Sequence, residues 1–311
     1  MKNIILALIT FTFLASSANA APTKNGFNLA NSTIPVNKIL SGGPPRDGIP
    51  SIDKPKFIVA KKASFLKPHD RVIGVEINGR ARAYPIRILN WHEIVNDNFH
   101  GIPIAVTFCP LCGSGIVYES RFGGSTHTFG VSGLLYNSDV LLYDRETKTL
   151  WSQILSKAIS GKLVGSELDI IPSSHTSWQA WKKKHPNTQV LSTDTGAGRN
   201  YNRSPYGDYD KGRETYFPIE FRSKKYHPKE RVIGVTINGM HKVYPFTELA
   251  KLQSDSLQDE FSGQQLQLSF DAENRDGMIK DASGNIVPSI NTFWFAWYAF
   301  HPDTKIFKAD E

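Results

Sequence analysis

Alternating apolar and polar positions along this 311-residue chain predict mostly short β-strands. The clearest pattern occurs twice: residues 71–85 read RVIGVEINGRARAYP, and residues 231–245 read RVIGVTINGMHKVYP. Each segment has two strand-like runs around an Asn-Gly pair, which is the typical turn of a tight β-hairpin. A proline ends the second run of each segment, because proline cannot donate a hydrogen bond to a strand ladder. The pattern therefore predicts the same hairpin in two places.

Two further matching segments predict short helices. PSSHTSWQAWKKKHP begins at Pro172, and PSINTFWFAWYAFHP begins at Pro288. Each begins after a polar cluster and ends before a His-Pro pair, as helices commonly do. Both place two tryptophans three residues apart on one helical face, which favours packing in a core over a binding platform. These tryptophans are Trp178, Trp181, Trp294 and Trp297, and we interpret the histidines at the helix ends, His185 and His301, as structural.

These patterns predict an α+β fold, with one β-rich domain built from two pseudo-equivalent internal repeats. The first half spans about 42–194 and the second, degenerate half about 217–307, while residues 21–41 form an N-terminal extension. We expect the join, from Thr195 to Tyr216, to be a long ordered loop packed on the surface.

The chain has two cysteines, and both lie in the segment Cys109-Pro110-Leu111-Cys112. A strand-like run precedes them, and Gly113 and a second such run follow. A thioredoxin-type motif needs a helix N-terminus, where the helix dipole lowers the pKa of the thiol, so we do not expect a thioredoxin-like fold. The turn is closer to the Cys-Pro-x-Cys-Gly knuckle of zinc ribbons, in which the glycine adopts a positive φ. A complete zinc ribbon would need a second cysteine pair, which this chain lacks.

Three roles are compatible with this spacing: a redox couple, half of a metal site, or a small disulfide loop. A bridge across about four residues stabilises a fold by only about 2 kcal/mol in the loop-entropy model. A chain of this length can build its core without such help, so a functional pair is favoured. A c-type haem is excluded, because Gly113 stands where the attachment motif requires histidine.

The two halves differ at the cysteines. Aligning residues 104–108 with 266–270 places Asp271 opposite Cys109 and Asn274 opposite Cys112. The stretch 119–165 has no counterpart, and neither has His92 or His127, because no histidine lies between positions 241 and 301. A repeat retains in both copies what the fold requires, so features of the first copy alone are candidates for function.

Structural roles for these unmatched residues stay open. A hydrogen-bonded core position is the equal alternative for His92, and solvent exposure on an alternating strand is the alternative for His127. We interpret Asp139, Asp144 and Arg145 as an ion pair that ties strands together.

Residues 1–20 have the pattern of a secretory signal: Lys2, an apolar run too short to span a bilayer, and Ala18-Asn19-Ala20 before a cleavage point at Ala21. We therefore expect a periplasmic or secreted protein in an oxidising compartment, with no membrane span in the mature chain.

The formal charge is +7, but the basic residues are scattered, which is typical of a solvated surface and excludes a nucleic-acid partner.

The chain also resembles an uncharacterised bacterial family, the domain of unknown function number 3179. The likeness extends from about Gly42 to Phe307. It is carried by Asp47-Gly48-Ile49-Pro50, Ala83-Tyr84-Pro85, Trp91 to Asp97, Cys109 to Gly113, Phe129 to Ser138, and Leu150-Trp151-Ser152-Gln153. Some relatives are labelled as possible selenoproteins. The resemblance therefore implies a redox-active position at one of the cysteines, without implying a substrate.

Our leading hypothesis is an exported thiol-disulfide oxidoreductase that needs no cofactor and acts on a thiol or disulfide of a protein or small molecule. Cys109 would attack as the thiolate and Cys112 would resolve the mixed disulfide, with His92 or His127 lowering the thiol pKa. The alternative is a periplasmic binding protein in which Cys109, Cys112 and one of these histidines hold Cu(I) or Zn(II). A third possibility is a non-catalytic exported interaction module.

Overall fold

The computed structural model describes residues 21–309, and it is β-rich, with 42% of residues in strands and 11% in helices. The predicted signal, Met1–Ala20, lies outside the described residues. Within them, no helix is long and apolar enough to cross a membrane.

The N-terminal part and the first hairpin region lead to the cysteine turn. Their elements are β1 Thr23–Lys24, β2 Phe27–Asn28, β3 Leu40–Ser41, β4 Phe57–Val59, β5 Arg71–Ile77, β6 Arg80–Pro85, α1 Ile86–His92, β7 Ile94–Phe99, β8 Ile102–Cys109 and β9 Ser114–Glu119, with 3-10 turns at Val36–Lys38 and Ala60–Lys62.

The middle of the chain consists of short strands and one helix. These are β10 Arg121–Phe122, β11 Ser125–Thr126, β12 Phe129–Tyr136, β13 Asp139–Asp144, β14 Leu150–Ser152, β15 Lys157–Ser160, β16 Ile170–Ile171, β17 Ser173–Ser177, α2 Trp178–Lys184 and β18 Gln189–Leu191.

The last third contains the second hairpin and the second tryptophan helix. Its elements are β19 Arg231–Ile237, β20 Met240–Pro245, α3 Phe246–Leu249, β21 Ser256–Phe261, β22 Gln264–Asp271, β23 Asp276–Asp281, β24 Ile286–Val287, β25 Ser289–Phe293, α4 Trp294–Phe300 and β26 Lys305–Ile306.

Both predicted hairpins are confirmed. Strands β5 and β6 pair antiparallel around Asn78 and Gly79, and strands β19 and β20 pair in the same way around Asn238 and Gly239. All four turn residues have a positive φ, between 52° and 74°, which is the conformation that Asn-Gly accommodates at low cost.

Four sheets of four or more strands make up most of the fold. One has the order β17-β5-β6-β18-β4, and the largest runs β26-β20-β19-β25-β9-β8-β7, with β16 paired to β9. The others are β15-β14-β13-β12-β3 and β21-β22-β23-β24. The largest sheet joins strands from the first and the last parts of the chain, because β25 pairs with β9 through Asn291 and Gly115.

The tryptophans of α2 and α4 are buried, as predicted. Trp181 donates from Nε1 to Thr188 at 3.0 Å, and Trp297 donates to Thr304 at 2.9 Å. Each indole lies directly over a glycine of the neighbouring strand, and a Cβ on Gly234 would lie 2.2 Å from Trp297. The helices therefore dock where a strand residue without a side chain lets the ring approach the backbone.

We expect Gly234→Ala to lower the free energy of unfolding by about 1–3 kcal/mol, because the added methyl group overpacks the Trp297 contact. Urea unfolding followed by tryptophan fluorescence measures the change. Gly212→Ala is the matched control, since its Cβ would come no closer than 3.7 Å to any atom. Equal stability of the two variants would contradict this account of the packing.

The join between the halves is ordered but is not confined to the surface. Residues 192–230 contain no helix or strand, as predicted for the segment Thr195 to Tyr216. However, Tyr201 and Tyr209 are only 7% and 6% exposed. The segment therefore places aromatic side chains in the interior, and Tyr209 belongs to the same hydrophobic core as the two cysteines.

Candidate functional site

The cysteines lie in a tight turn that joins two buried strands. Strand β8 ends at Cys109, which pairs with Ser114 at the start of β9. Gly113 has φ +61°, and a Cβ at this position would lie 2.7 Å from the Phe293 ring. A glycine is therefore required here for both backbone conformation and space, which confirms the positive φ expected from the motif.

The two thiols face each other in the interior. Cys109 and Cys112 are free, at most 1% exposed, and 3.4 Å apart. Both donate to the backbone carbonyl of Ser138, at 3.6 Å from Cys109 Sγ and 3.3 Å from Cys112 Sγ. Burial, and then the hydrogen bond to Cys109, raise the pKa of Cys112 well above its usual value, so this thiol is held in its neutral form.

A two-residue hairpin turn lies opposite the thiols. Asn137 and Ser138 join β12 to β13 with φ values of 51° and 65°, and Ser138 is 1% exposed. A positive φ at both central residues is typical of tight hairpins, and asparagine adopts it more readily than serine does. The turn places the Ser138 carbonyl beside the two sulfurs.

Asp139 adds a carboxylate to the thiol pair. One ligand atom from each of Cys109, Cys112 and Asp139 lies within 4.8 Å of the other two. Asp139 Oδ2 accepts from the Ile154 amide at 3.0 Å and from Ser152 Oγ at 3.2 Å, whereas Oδ1 is buried without a hydrogen-bond partner. Burial raises the pKa of Asp139 to about 7, although these hydrogen bonds act in the opposite direction.

The Leu150 to Gln153 motif forms hydrogen bonds that hold the cysteine turn and Asp139 in place. Gln153 donates from Nε2 to Thr107 at 2.8 Å and accepts from Ser114 Oγ at 2.5 Å, so it links the two strands that flank the cysteine turn. Together with the Ser152 contact to Asp139, these bonds explain why two adjacent polar residues are buried at the end of β14.

Lys229, just before β19, brings a buried cation close to the thiols. Its ammonium nitrogen lies 3.4 Å from the centre of the Tyr209 ring and donates to the Glu214 carbonyl at 2.8 Å. Burial lowers the pKa of Lys229 to about 8, and negative charge on Cys112 would act against that shift. A thiolate or metal-thiolate centre would therefore have a compensating charge nearby.

The buried Glu93 and the partly buried Tyr206 form a second polar pair on the Cys109 side. Tyr206 donates to Glu93 Oε1 at 3.1 Å, and burial raises the pKa of Glu93 to about 7. Burial, followed by the charges of Glu93 and Cys109, raises the pKa of Tyr206. The Glu93 carbonyl also accepts from the Phe108 amide at 2.7 Å, which ties this residue to the strand that carries Cys109.

His92 is a hydrogen-bonded core residue, the structural alternative left open by the sequence. It is 1% exposed, and its ring nitrogens lie 2.7 Å from the Pro50 carbonyl and 2.6 Å from the Tyr201 hydroxyl. Burial lowers the pKa of His92. A direct role beside the thiols stays a prediction, and among the described residues the third ligand-bearing group within 4.8 Å of both sulfurs is Asp139.

The expectations of solvent exposure for His127 and of a strand position are wrong. His127 is 6% exposed, lies between β11 and β12, and stacks on Phe122. Its ligand-bearing neighbours are Asp144 and Glu146, so it belongs to a cluster other than that of the thiols. Its predicted assistance to the cysteines stays a prediction.

The predicted ion pair among Asp139, Asp144 and Arg145 is also wrong. Arg145 lies 3.2 Å from Asp53, whereas Asp139 lies with the thiols. The two acids lie at opposite ends of the buried strand β13, so one arginine cannot pair with both.

Sequence reasoning did not identify Asp139, Lys229, Glu93, Tyr206 or Tyr209 as neighbours of the cysteines. One available signal was the position of Asp139 between Asn137-Ser138 and the apolar run Val140–Tyr143, where a carboxylate is unusual. The others lie in the join, at the end of α1 and just before β19, where the sequence has no periodic pattern.

Comparison with protein families gives one match. The family described as "Protein of unknown function (DUF3179)" matches residues 46–283, which include the cysteine turn, Glu93, Asp139 and the tyrosines of the join. The chain belongs to this family. No curated protein and no solved structure matches the chain. The match therefore covers the whole candidate site, but the family description names no activity.

Proposed function

We propose that the protein binds a thiophilic metal ion through Cys109, Cys112 and Asp139. The observation that carries this proposal is the buried, unpartnered Oδ1 of Asp139 beside two thiols. A buried carboxylate oxygen without a partner costs free energy, and a cation bound between it and the sulfurs would remove that cost.

Zn(II) is the favoured ion. Zn(II) is intermediate between hard and soft metal ions, so it binds both thiolate and carboxylate ligands, whereas Cu(I) prefers sulfur ligands alone. Three protein ligands leave the fourth tetrahedral position open, which is typical of catalytic rather than structural zinc sites. In this proposal Asp139 takes the place that the sequence assigned to His92 or His127.

Thiol redox chemistry is the second candidate, and the 3.4 Å separation of the sulfurs favours it. The Cys109 thiolate would attack a substrate disulfide and release one substrate thiol. The neutral Cys112 thiol would then lose its proton as it attacks the Cys109 sulfur, and the departing substrate sulfur would take up that proton and leave as the second thiol, with a Cys109–Cys112 disulfide remaining. Because both thiols are buried, a protein substrate could reach them only after neighbouring parts of the structure moved away.

A duplicated origin for the two halves is part of the proposal. The order β17-β5-β6-β18 in one sheet matches β25-β19-β20-β26 in the other. The turns correspond as well, since the pair Cys109–Ser114 has the same spacing as the pair Asp271–Asp276. The second turn carries no thiol, so the metal would bind to the first half alone.

Metal content tests the proposal directly. We expect about one Zn(II) per chain in protein purified from the periplasm without chelator or affinity-tag metal, as measured by inductively coupled plasma mass spectrometry. N-terminal sequencing of the same preparation should begin at Ala21 if the chain is exported. Metal-free protein with a titratable disulfide would reject metal binding and support the redox candidate, and stoichiometric copper would replace zinc as the ion.

A further inference from the structure

A second group of ligand-bearing side chains lies at the far end of the β12–β13 hairpin from the Asn137-Ser138 turn. His127 precedes β12, Asp144 ends β13, and Glu146 lies in the turn that follows. Pairing of Phe129 with Asp144 brings the ends together. One ligand atom from each of His127, Asp144 and Glu146 lies within 4.8 Å of the other two.

The distances within this group are too long for hydrogen bonds. His127 Nδ1 lies 3.5 Å from Asp144 Oδ1 and 3.8 Å from Glu146 Oε2. This nitrogen is buried and has no hydrogen-bond partner. Two ligand atoms that each lie about 2.1 Å from a tetrahedral ion are separated by about 3.4 Å. The spacing is therefore close to that of ligands around a shared metal.

Surrounding contacts hold the three side chains in place. The Phe122 ring stacks on the imidazole of His127, with centroids 3.8 Å apart and an interplanar angle of 12°. Trp151 Nε1 donates to Asp144 Oδ2 at 3.0 Å, and the Thr128 amide donates to Glu146 Oε2 at 2.9 Å. Such outer contacts orient the ligands of metal sites.

The charges of the group are unbalanced. Within residues 21–309, the ion pairs of Asp144 and Glu146 are formed with His127 and with no lysine or arginine, since Arg145 between them pairs with Asp53 instead. Two carboxylates around one neutral imidazole would be balanced by a divalent cation. Imidazole with two carboxylates suits Mn(II) or Zn(II) better than it suits Cu(I).

We propose that His127, Asp144 and Glu146 bind a divalent metal ion at a site separate from the two cysteines. The inference rests on the unpartnered His127 nitrogen and the spacing of the two carboxylates, and it holds whether or not the thiols bind metal. The competing explanation is a protonated His127 that pairs with both acids and leaves no room for a cation.

Mn(II) is the probe, because oxygen and nitrogen ligands bind it and thiolates contribute little. Electron paramagnetic resonance titration of free Mn(II) should show one bound ion per chain, both in the wild type and in the Cys109→Ser/Cys112→Ser double variant. We expect Glu146→Gln to weaken binding at least about 10-fold, since it removes a charged ligand. Glu146 is half-exposed, so the replacement should leave the fold intact by circular dichroism.

Glu167→Gln is the matched control, because Glu167 is an exposed glutamate that pairs with Lys157 instead. It should bind Mn(II) as the wild type does. His127→Gln is a second test variant, and we expect it to weaken Mn(II) binding at least about 10-fold as well. Absence of Mn(II) binding to folded protein at millimolar concentration would overturn the site in favour of the protonated pair. Binding that survives both Glu146→Gln and His127→Gln would place the ion elsewhere and also overturn it.

Discussion

Cys112→Ser should reduce the affinity for Zn(II) at least about 100-fold, because it removes one of three protein ligands from a site whose affinity depends on thiolate donors. Cys109→Ser should have a similar effect. Asp139→Asn should weaken binding about 10- to 100-fold, since the amide keeps the shape but loses the charge. Competition against a chromophoric zinc chelator measures all three affinities.

The turn between β22 and β23, from Asp271 to Asp276, provides the matched control. Asp271→Asn changes the carboxylate that stands opposite Cys109, and Asn274→Ala changes the residue opposite Cys112. We expect both variants to bind Zn(II) as the wild type does. Equal losses in the two turns, with folding intact, would mean that the second half also carries a working site.

The single cysteine variants also separate metal binding from redox chemistry. A metal site uses both sulfurs in the same way, so neither variant should form a covalent adduct. A redox pair has distinct roles, so loss of the resolving cysteine alone should trap a mixed disulfide with a small thiol or a protein. Mass spectrometry of each variant under non-reducing conditions distinguishes the two outcomes.

The second large effect concerns stability. Gly113→Ala should lower the free energy of unfolding by about 2–4 kcal/mol, from the left-handed backbone conformation together with a collision with the Phe293 ring. Chemical denaturation measures the loss. Gly263→Ala is the control, because Gly263 has φ +74° but no atom within 4 Å of its Cβ position. It should show only the backbone cost, of about 1 kcal/mol.

A double variant tests the origin of the difference. If the ring contact causes the additional loss at Gly113, then Phe293→Ala should lower the further cost of Gly113→Ala to that of the control. A cost that is independent of the residue at position 293 would contradict this explanation.

Local patterns in the sequence were sufficient to predict the hairpins, the tryptophan helices and a cysteine turn between strands. Each depends on neighbours in the chain, such as Asn78-Gly79 or the spacing of Trp294 and Trp297. The surroundings of the thiols could not be predicted in this way. Asp139 reaches them through the β12–β13 turn and Lys229 from the start of the second half, and tertiary pairing alone brings such distant residues together.

His92 also shows that the sequence alone could not distinguish a structural role from a functional one. Its place in a Trp-flanked segment near the cysteines suited a functional role as well as a core role. Only its contacts with Pro50 and Tyr201 distinguish these possibilities, and Tyr201 lies in the join, where no periodic pattern indicated a buried position.

The pairing of β25 with β9 has a consequence for any attempt to isolate the cysteine-bearing half. The Phe293 amide and the Thr292 hydroxyl donate to the Cys112 carbonyl at 2.8 and 2.9 Å, and Arg231 donates to the Gly113 carbonyl at 3.3 Å. A fragment that stops at the join would leave these carbonyls unpaired and expose the start of β9, around Gly115, because β16 covers only Val117 and Tyr118. The backbone of the cysteine turn is thus completed by residues more than a hundred positions further along the chain, and we expect a fragment without them to be less stable and more prone to aggregation than the whole protein.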